Sequence, residues 1–154
     1  MTLAPNFTLA ELTASAWADR HGADNAPPAP LIPELTRTAA MLQRIRDFLS
    51  AAQGVDTPMI DLSGYRSPCV NRGIGSSDTS DHPRGMACDF KALRMAPIDV
   101  CRMLEPHLDE LGIGQIINEL TWVHVSTRRP INPVNRIITI DKLGTRVGIV
   151  PVRA

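Results

Sequence analysis

The spacing of apolar and polar positions changes several times along this chain, and each change marks an element. Thr8 is placed to cap a short helix from Leu9 to about Arg20, with Glu11 three residues later as its capping-box partner. The following HGADNAPPAPLIP is rich in Pro, Ala and small polar residues and reads as a surface loop. Pro33 suits the first turn of a second helix. There Leu35, Leu42, Ile45 and Leu49 recur at helical spacing, so one apolar face runs to about Ala52 before Gly54 ends it. From Pro58 the period shortens. Met59 to Leu62 reads as a strand leading into a Gly-marked turn, Asn71 to Arg84 as a polar loop, and MACDF as a short buried strand. Ala96 to Leu111 is expected to be helical, with Pro97 near its start and Gly112 after its end. GQIINEL, WVHVS, RIITI and RVGIV are β-branched runs between small turns.

Helices come first, then mostly strands with one long helix between them. That order predicts an α+β fold with an antiparallel sheet rather than alternating parallel units. With 154 residues, the chain suits a single domain over 1–154. A chain of this size buries roughly two-thirds of its unfolded surface and needs no covalent staples.

Composition narrows the function classes. Sixteen basic and sixteen acidic residues cancel, which argues against a nucleic-acid binder. No apolar run approaches the ~18 residues of a membrane helix. MTLAPNFTLAEL has no basic region followed by an apolar stretch, so no secretory signal is expected. Cys69, Cys88 and Cys101 are odd in number and form no CxxC pair, so three buried or half-buried free thiols and synthesis in a reducing cytoplasm are expected.

Four histidines are available. His21 follows a charged helix end and His107 lies in the polar stretch EPHLDE, so both are expected to be solvated. His82 lies in the polar loop SDHPR, and Asp89 follows inside the apolar MACDF, where an acid is costly unless paired or bound to a metal. His124 lies between Val123 and Val125. Strand alternation puts Trp122, His124 and Ser126 on one face and the two valines on the other. By spacing alone, His82, Asp89 and His124 fit either a zinc site with an open position or a buried hydrogen-bonded polar cluster.

The wider pattern is more specific. SGYRSP, NRGIGSSDTSDHPRGMACDF and ELTWVHVS together resemble the D-Ala-D-Ala carboxypeptidase-like zinc peptidases. That superfamily also includes phage endolysin peptidases, dipeptide-cleaving resistance enzymes and the hedgehog signalling domain. Its core is a Ser-x-His-x-x-x-x-x-x-Asp segment and a downstream Trp-x-His strand, matched here by Ser80, His82, Asp89, Trp122 and His124. The opening NFTLAEL and DNAPP also resemble this group, so the likeness covers about Asn6 to Ser126 and leaves Thr127–Ala154 without a counterpart.

The resemblance implies a hedgehog/D-Ala-D-Ala peptidase-like α+β fold, with helices packed on one side of the sheet. It implies Zn2+ held by His82, Asp89 and His124. Family members place a general base a few residues before the last histidine, often three, but that position here is Thr121. Glu119 is the substitute. Arg66 is expected to bind the substrate carbonyl or stabilise an oxyanion, with Ser80 and Trp122 also on the substrate side. Asp78 and Asp81 are expected to be turn residues, Arg84 exposed, and Gly85 in a backbone conformation that other residues resist. The implied activity is hydrolysis of peptidoglycan stem peptides at or near D-alanine, as a D,D-carboxypeptidase or endopeptidase. The alternative is a non-catalytic zinc-binding recognition module of hedgehog type. A monomer is expected, made in the cytoplasm, that reaches the cell wall after holin-type release from a phage-infected cell or as part of a virion.

Overall fold

The computed structural model describes all 154 residues. Strands β1 (Thr2–Ala4) and β2 (Phe7–Thr8) form a small antiparallel ribbon. Helix α1 (Leu9–Thr13) starts on the expected capping box: Thr8 Oγ1 accepts from the Glu11 N–H, and Glu11 Oε2 accepts from the Thr8 N–H at 2.8 Å. The expected single helix to Arg20 is in fact two. Ser15 adopts an extended conformation and caps α2 (Ala16–His21) by accepting from the Ala18 N–H, which competes locally with helix continuation.

Helix α3 (Ile32–Gln53) is the spine of the core, and it stops at Gly54, whose φ is +67°. Its Leu35, Leu42, Ile45 and Leu49 are fully buried, as their spacing predicts, and so is Ala39 between them. Burial of each Leu or Ile stabilises the fold by about 1.5–3 kcal/mol before the entropy of ordering is counted.

Strand β3 (Met59–Ser63) is followed by α4 (Pro68–Gly73). The expected loop from Asn71 to Arg84 thus begins inside a helix, because Ser67 caps it and Pro68 takes its first position. The same stretch ends in a 3-10 turn at His82–Arg84, before β4 (Ala87–Ala92). The expected long helix after Ala96 is interrupted. Helix α5 (Pro97–Leu104) passes through a 3-10 turn at Glu105–His107 into α6 (Leu108–Leu111), because Pro106 has no N–H to continue the ladder.

Strands β5 (Gln115–Glu119), β6 (Trp122–Ser126), β7 (Ile137–Asp141) and β8 (Gly144–Val147) follow. The six-stranded sheet has the order β3-β4-β6-β5-β7-β8. All neighbours are antiparallel except β5 and β7, so the sheet is mixed rather than wholly antiparallel. The reason is local. Strand β6 ends opposite the start of β5, and the chain from Thr127 only has to step across that end before β7 begins beside Ile116. The step is held by Arg136 donating to the Gly114 and Ile113 carbonyls and by Gln115 donating to the Asn135 carbonyl. Gly114 allows it, since a Cβ there would meet the Arg128 carbonyl carbon at 2.3 Å.

Helices α3, α5 and α6 share one core with the inward face of the sheet, including Cys88, Phe90, Ile116, Val123 and Val125. Beyond that core, the same face of β7 is covered by the C-terminal tail. Thr139 Oγ1 donates to the Gly148 carbonyl, and Asn118 donates to the Val150 carbonyl. Buried Asp141 binds both Arg146 and Arg153. The segment after Ser126 therefore extends the sheet and locks its own end.

All three cysteines are free. Cys88 and Cys101 are buried as expected, but Cys69 is exposed. His21 is exposed and stacks on Trp17, whereas His107 is half-buried against Phe48 and pairs with Glu110 instead of standing free in solvent. No helix is long and apolar enough to cross a membrane.

Candidate metal centre

The other face of the sheet carries the site. Cys88 and Phe90 on β4, like Val123 and Val125 on β6, point into the core, so alternation forces Asp89 and His124 outward. The strand register then brings the two together. Asp89 sits directly opposite His124, and Ser63 sits opposite Asp89 on the other side. Asp89 Oδ1 lies 2.8 Å from His124 Nδ1.

His82 arrives from the 3-10 turn. Its Nδ1 lies 2.6 Å from the Gly64 carbonyl oxygen. A carbonyl only accepts, so Nδ1 carries the proton and Nε2 presents its lone pair. That Nε2 is 3.4 Å from Asp89 Oδ1. Gly64 can offer its carbonyl there because the chain presses against α1; a Cβ would lie 2.6 Å from the Leu12 oxygen. One donor atom from each of His82, Asp89 and His124 lies within 4.8 Å of the others, and all three residues are buried.

The turn bearing His82 is held from three sides. Ser80 Oγ accepts from the His82 N–H at 3.3 Å. Gly85, at φ +71°, closes the turn, and its carbonyl oxygen accepts from the hydroxyl of buried Thr38. Asp81, which the sequence places in a turn, is a buried carboxylate that accepts from Ser126 Oγ at 2.8 Å and from Arg128 Nε at 2.7 Å. It ties the His82 turn to the end of the strand that carries His124. Arg84 Nη1 also reaches Asp81 at 3.5 Å, but no local pattern marks the tie, because Ser126 and Arg128, which make it, lie more than forty residues away. Asp78 is an exposed residue paired with Arg72, and Arg84 is exposed, as expected.

The electrostatics follow from burial and pairing. Burial by itself would raise the Asp89 carboxyl, but the charges and hydrogen bonds of His82 and His124 hold it well below the usual carboxylate range. Burial lowers His82, against the attraction of Asp89. For His124 burial also favours the neutral form, yet its hydrogen bond and attraction to Asp89 prevail and raise it. A proton between His124 and Asp89 thus stands where a cation would serve both. Two imidazole nitrogens and one carboxylate oxygen, converging and oriented by a fixed carbonyl, suit zinc with one position left for a ligand.

Arg66 is brought to the same place. Its Nη2 donates to Asp89 Oδ2 at 2.5 Å, and its Nε and Nη2 donate to Ser63 Oγ. The guanidinium therefore braces the Asp89 carboxylate, and only Nη1 lacks a protein partner. Ser63, which the sequence did not single out, completes this brace. Glu119 stands at the last position of β5, opposite Trp122 across the two-residue turn Leu120–Thr121. Leu120 takes φ +46°, an uncommon conformation for a non-glycine residue. Its N–H donates to the Ile140 carbonyl at 3.0 Å, so β7 supports the turn. Half-buried Glu119 is raised above the ordinary carboxylate value, first by burial and then by the charge of Asp89. The Trp122 indole N–H moderates that rise but makes no hydrogen bond of normal geometry.

A cleft of about 1000 Å³ opens over these groups, lined by the three clustered residues and by Arg66, Ser80, Glu119 and Trp122. Every site residue named from the sequence therefore faces one space, while His21 and His107 lie outside it. The protein family described as Peptidase M15 matches residues 5–126. No curated protein matches the chain. The family match covers most of the chain and carries the whole His-Asp-His cluster with most of the cleft wall around it, so the chain belongs to the M15 peptidases, which are zinc-dependent.

Proposed function

We propose that this chain hydrolyses peptidoglycan stem peptides at or near D-alanine, as a D,D-carboxypeptidase or endopeptidase of endolysin or virion-associated type. The observation that carries the catalytic part is one cleft that combines the His82–Asp89–His124 donors with a half-buried carboxylate, Glu119. The resemblance of the SGYRSP, Ser-x-His and Trp-Val-His segments to cell-wall peptidases supports the substrate class.

His82 through Nε2, Asp89 and His124 would hold the zinc. Bound there, zinc supplies Lewis acidity toward a scissile carbonyl and acidifies a water molecule. The protein groups do the rest. Glu119, raised by burial, accepts a proton from the attacking water and returns it to the leaving amine, a transfer for which a value nearer neutrality is favourable. Arg66 holds Asp89 in place through Nη2 and keeps Nη1 for the substrate oxygen. Trp122 and Ser80 line the cleft, each two positions before one of the histidines.

Mass spectrometry of muropeptides tests this directly. Zinc-loaded protein is expected to release new stem-peptide fragments or free D-alanine from purified walls, with loss of activity on chelation and recovery on adding zinc. Failure to release either from walls of several cross-link types would rule the proposal out.

A further inference from the structure

Three cations line the cleft: Arg66, Lys91 and Arg128. Two are committed. Arg66 is engaged by Asp89 and Ser63, and Lys91 pairs with Asp61 at 3.1 Å. Arg128 differs. Its Nε donates to Asp81 at 2.7 Å, which fixes the plane of the guanidinium, while neither terminal nitrogen has a protein partner. Asp81 is in turn buried and held by Ser126, so this orientation rests on the strand that carries His124. The side chain is 40% exposed, enough to meet a ligand while its root stays fixed. Arg128 also lies outside residues 5–126, so the family match does not assign it.

We infer that Arg128 is an anchor for a carboxylate of the substrate, placed at the Ser126 end of the cleft and opposite the Glu119–Trp122 end. The inference rests on the peptidase proposal above for the identity of the ligand. A guanidinium held through Nε presents its two Nη groups as a parallel pair, which matches the two oxygens of a carboxylate. Strand β6 ends at Ser126, and Arg128 lies two residues beyond it with its side chain folded back onto Asp81, the neighbour of the donor His82. The anchored carboxylate therefore belongs to a part of the substrate near the bond at the metal centre. It is either the terminal α-carboxylate of the chain being cut or a side-chain carboxylate near it.

The test is equilibrium binding by calorimetry on zinc-loaded full-length protein in a Glu119→Gln background, which suppresses turnover. Three probes are titrated: N-acetyl-lysyl-D-alanyl-D-alanine, its C-terminal amide, and the same amide with glutamyl in place of lysyl. Arg128→Gln is expected to weaken binding of the acid about tenfold, the equivalent of about 1.4 kcal/mol. The lysyl amide should be nearly unaffected, and Arg128→Lys should recover part of the affinity. Arg128 dependence in the glutamyl amide instead identifies a side-chain carboxylate as the anchored group. An equal loss for all three probes, no loss for any, or no measurable binding of any probe overturns the anchor. Arg128-dependent binding in a protein that cleaves no wall would leave the anchor standing and sink the peptidase proposal alone. Zinc stoichiometry and Tm of each variant show whether the Asp81 contact still holds the His82 turn.

Discussion

The two faces of β4 and β6 differ by one residue in sequence and by everything in chemistry. On the helix side, Cys88, Phe90, Val123 and Val125 are fully buried in a continuous core. On the cleft side, Asp89 and His124 are almost as buried, each 8% exposed, but their partners are polar and few. The apolar face is held by many non-directional contacts, so swaps that keep volume are tolerated. The cleft face depends on single atoms: the Gly64 carbonyl on His82, Asp89 Oδ1 between two imidazoles, and Arg66 on Asp89 Oδ2. Toward β7 the helix-side face also turns polar, where Asp141 gathers Arg146, Arg153 and the end of the chain. The stabilising middle thus borders two charged regions, one across the sheet that lines the cleft and one further along the same face, closed by the chain's own tail.

Substitutions on the two faces should therefore fail in different ways. The largest effect belongs to the cleft. Asp89→Ala should abolish stoichiometric zinc binding, and with it turnover, as measured by metal analysis after gel filtration; tight zinc retention would remove Asp89 from the donor set. Glu119→Gln should keep the zinc yet lower kcat by about 10²–10⁴-fold, the usual contribution of a positioned acid–base group. Near-wild-type turnover would sink Glu119 as the base.

Phe90→Ala, one residue from Asp89, should show the opposite pattern. It should cost about 3–5 kcal/mol in urea denaturation while zinc stoichiometry is retained. Loss of zinc without loss of stability would break the comparison between the faces. The smallest effect is expected at Asp141. Hydrogen bonds from Arg153 hold its carboxyl well below the usual range. A depressed carboxylate contributes stability that is fully present above its unfolded value of about 3.9 and is lost as pH falls toward the folded value. Thermal melts between neutral and strongly acid pH should show that loss in the parent protein and a flatter profile in Asp141→Asn, which should also be less stable at neutral pH. Parallel profiles would mean that the tail is not held by this charge.

Much of the fold was legible because it is local. The capping box at Thr8 and Glu11, the apolar stripe of α3, the stop at Gly54 and the outward direction of His124 all follow from spacing within a few residues. The departures came where a neighbouring residue offered the backbone another partner or withdrew one. Ser15 capped a second helix, and Pro106 interrupted a third.

For the site, the sequence by itself determined the donor types, the strand face on which His124 lies, and the presence of Arg66, Ser80, Glu119 and Trp122 in suggestive segments. Strand alternation is a property of the backbone and needs no partner. Only the tertiary structure decided that Asp89 stands opposite His124, that the Gly64 carbonyl selects the His82 tautomer, and that Asp81 is a buried tie rather than a turn residue. It also decided that the segment after Ser126 runs parallel to β5 and brings Arg128 into the cleft. These depend on register and on hydrogen bonds between residues far apart in the chain, and no local spacing encodes which carbonyl or carboxylate a side chain will meet once the sheet has closed.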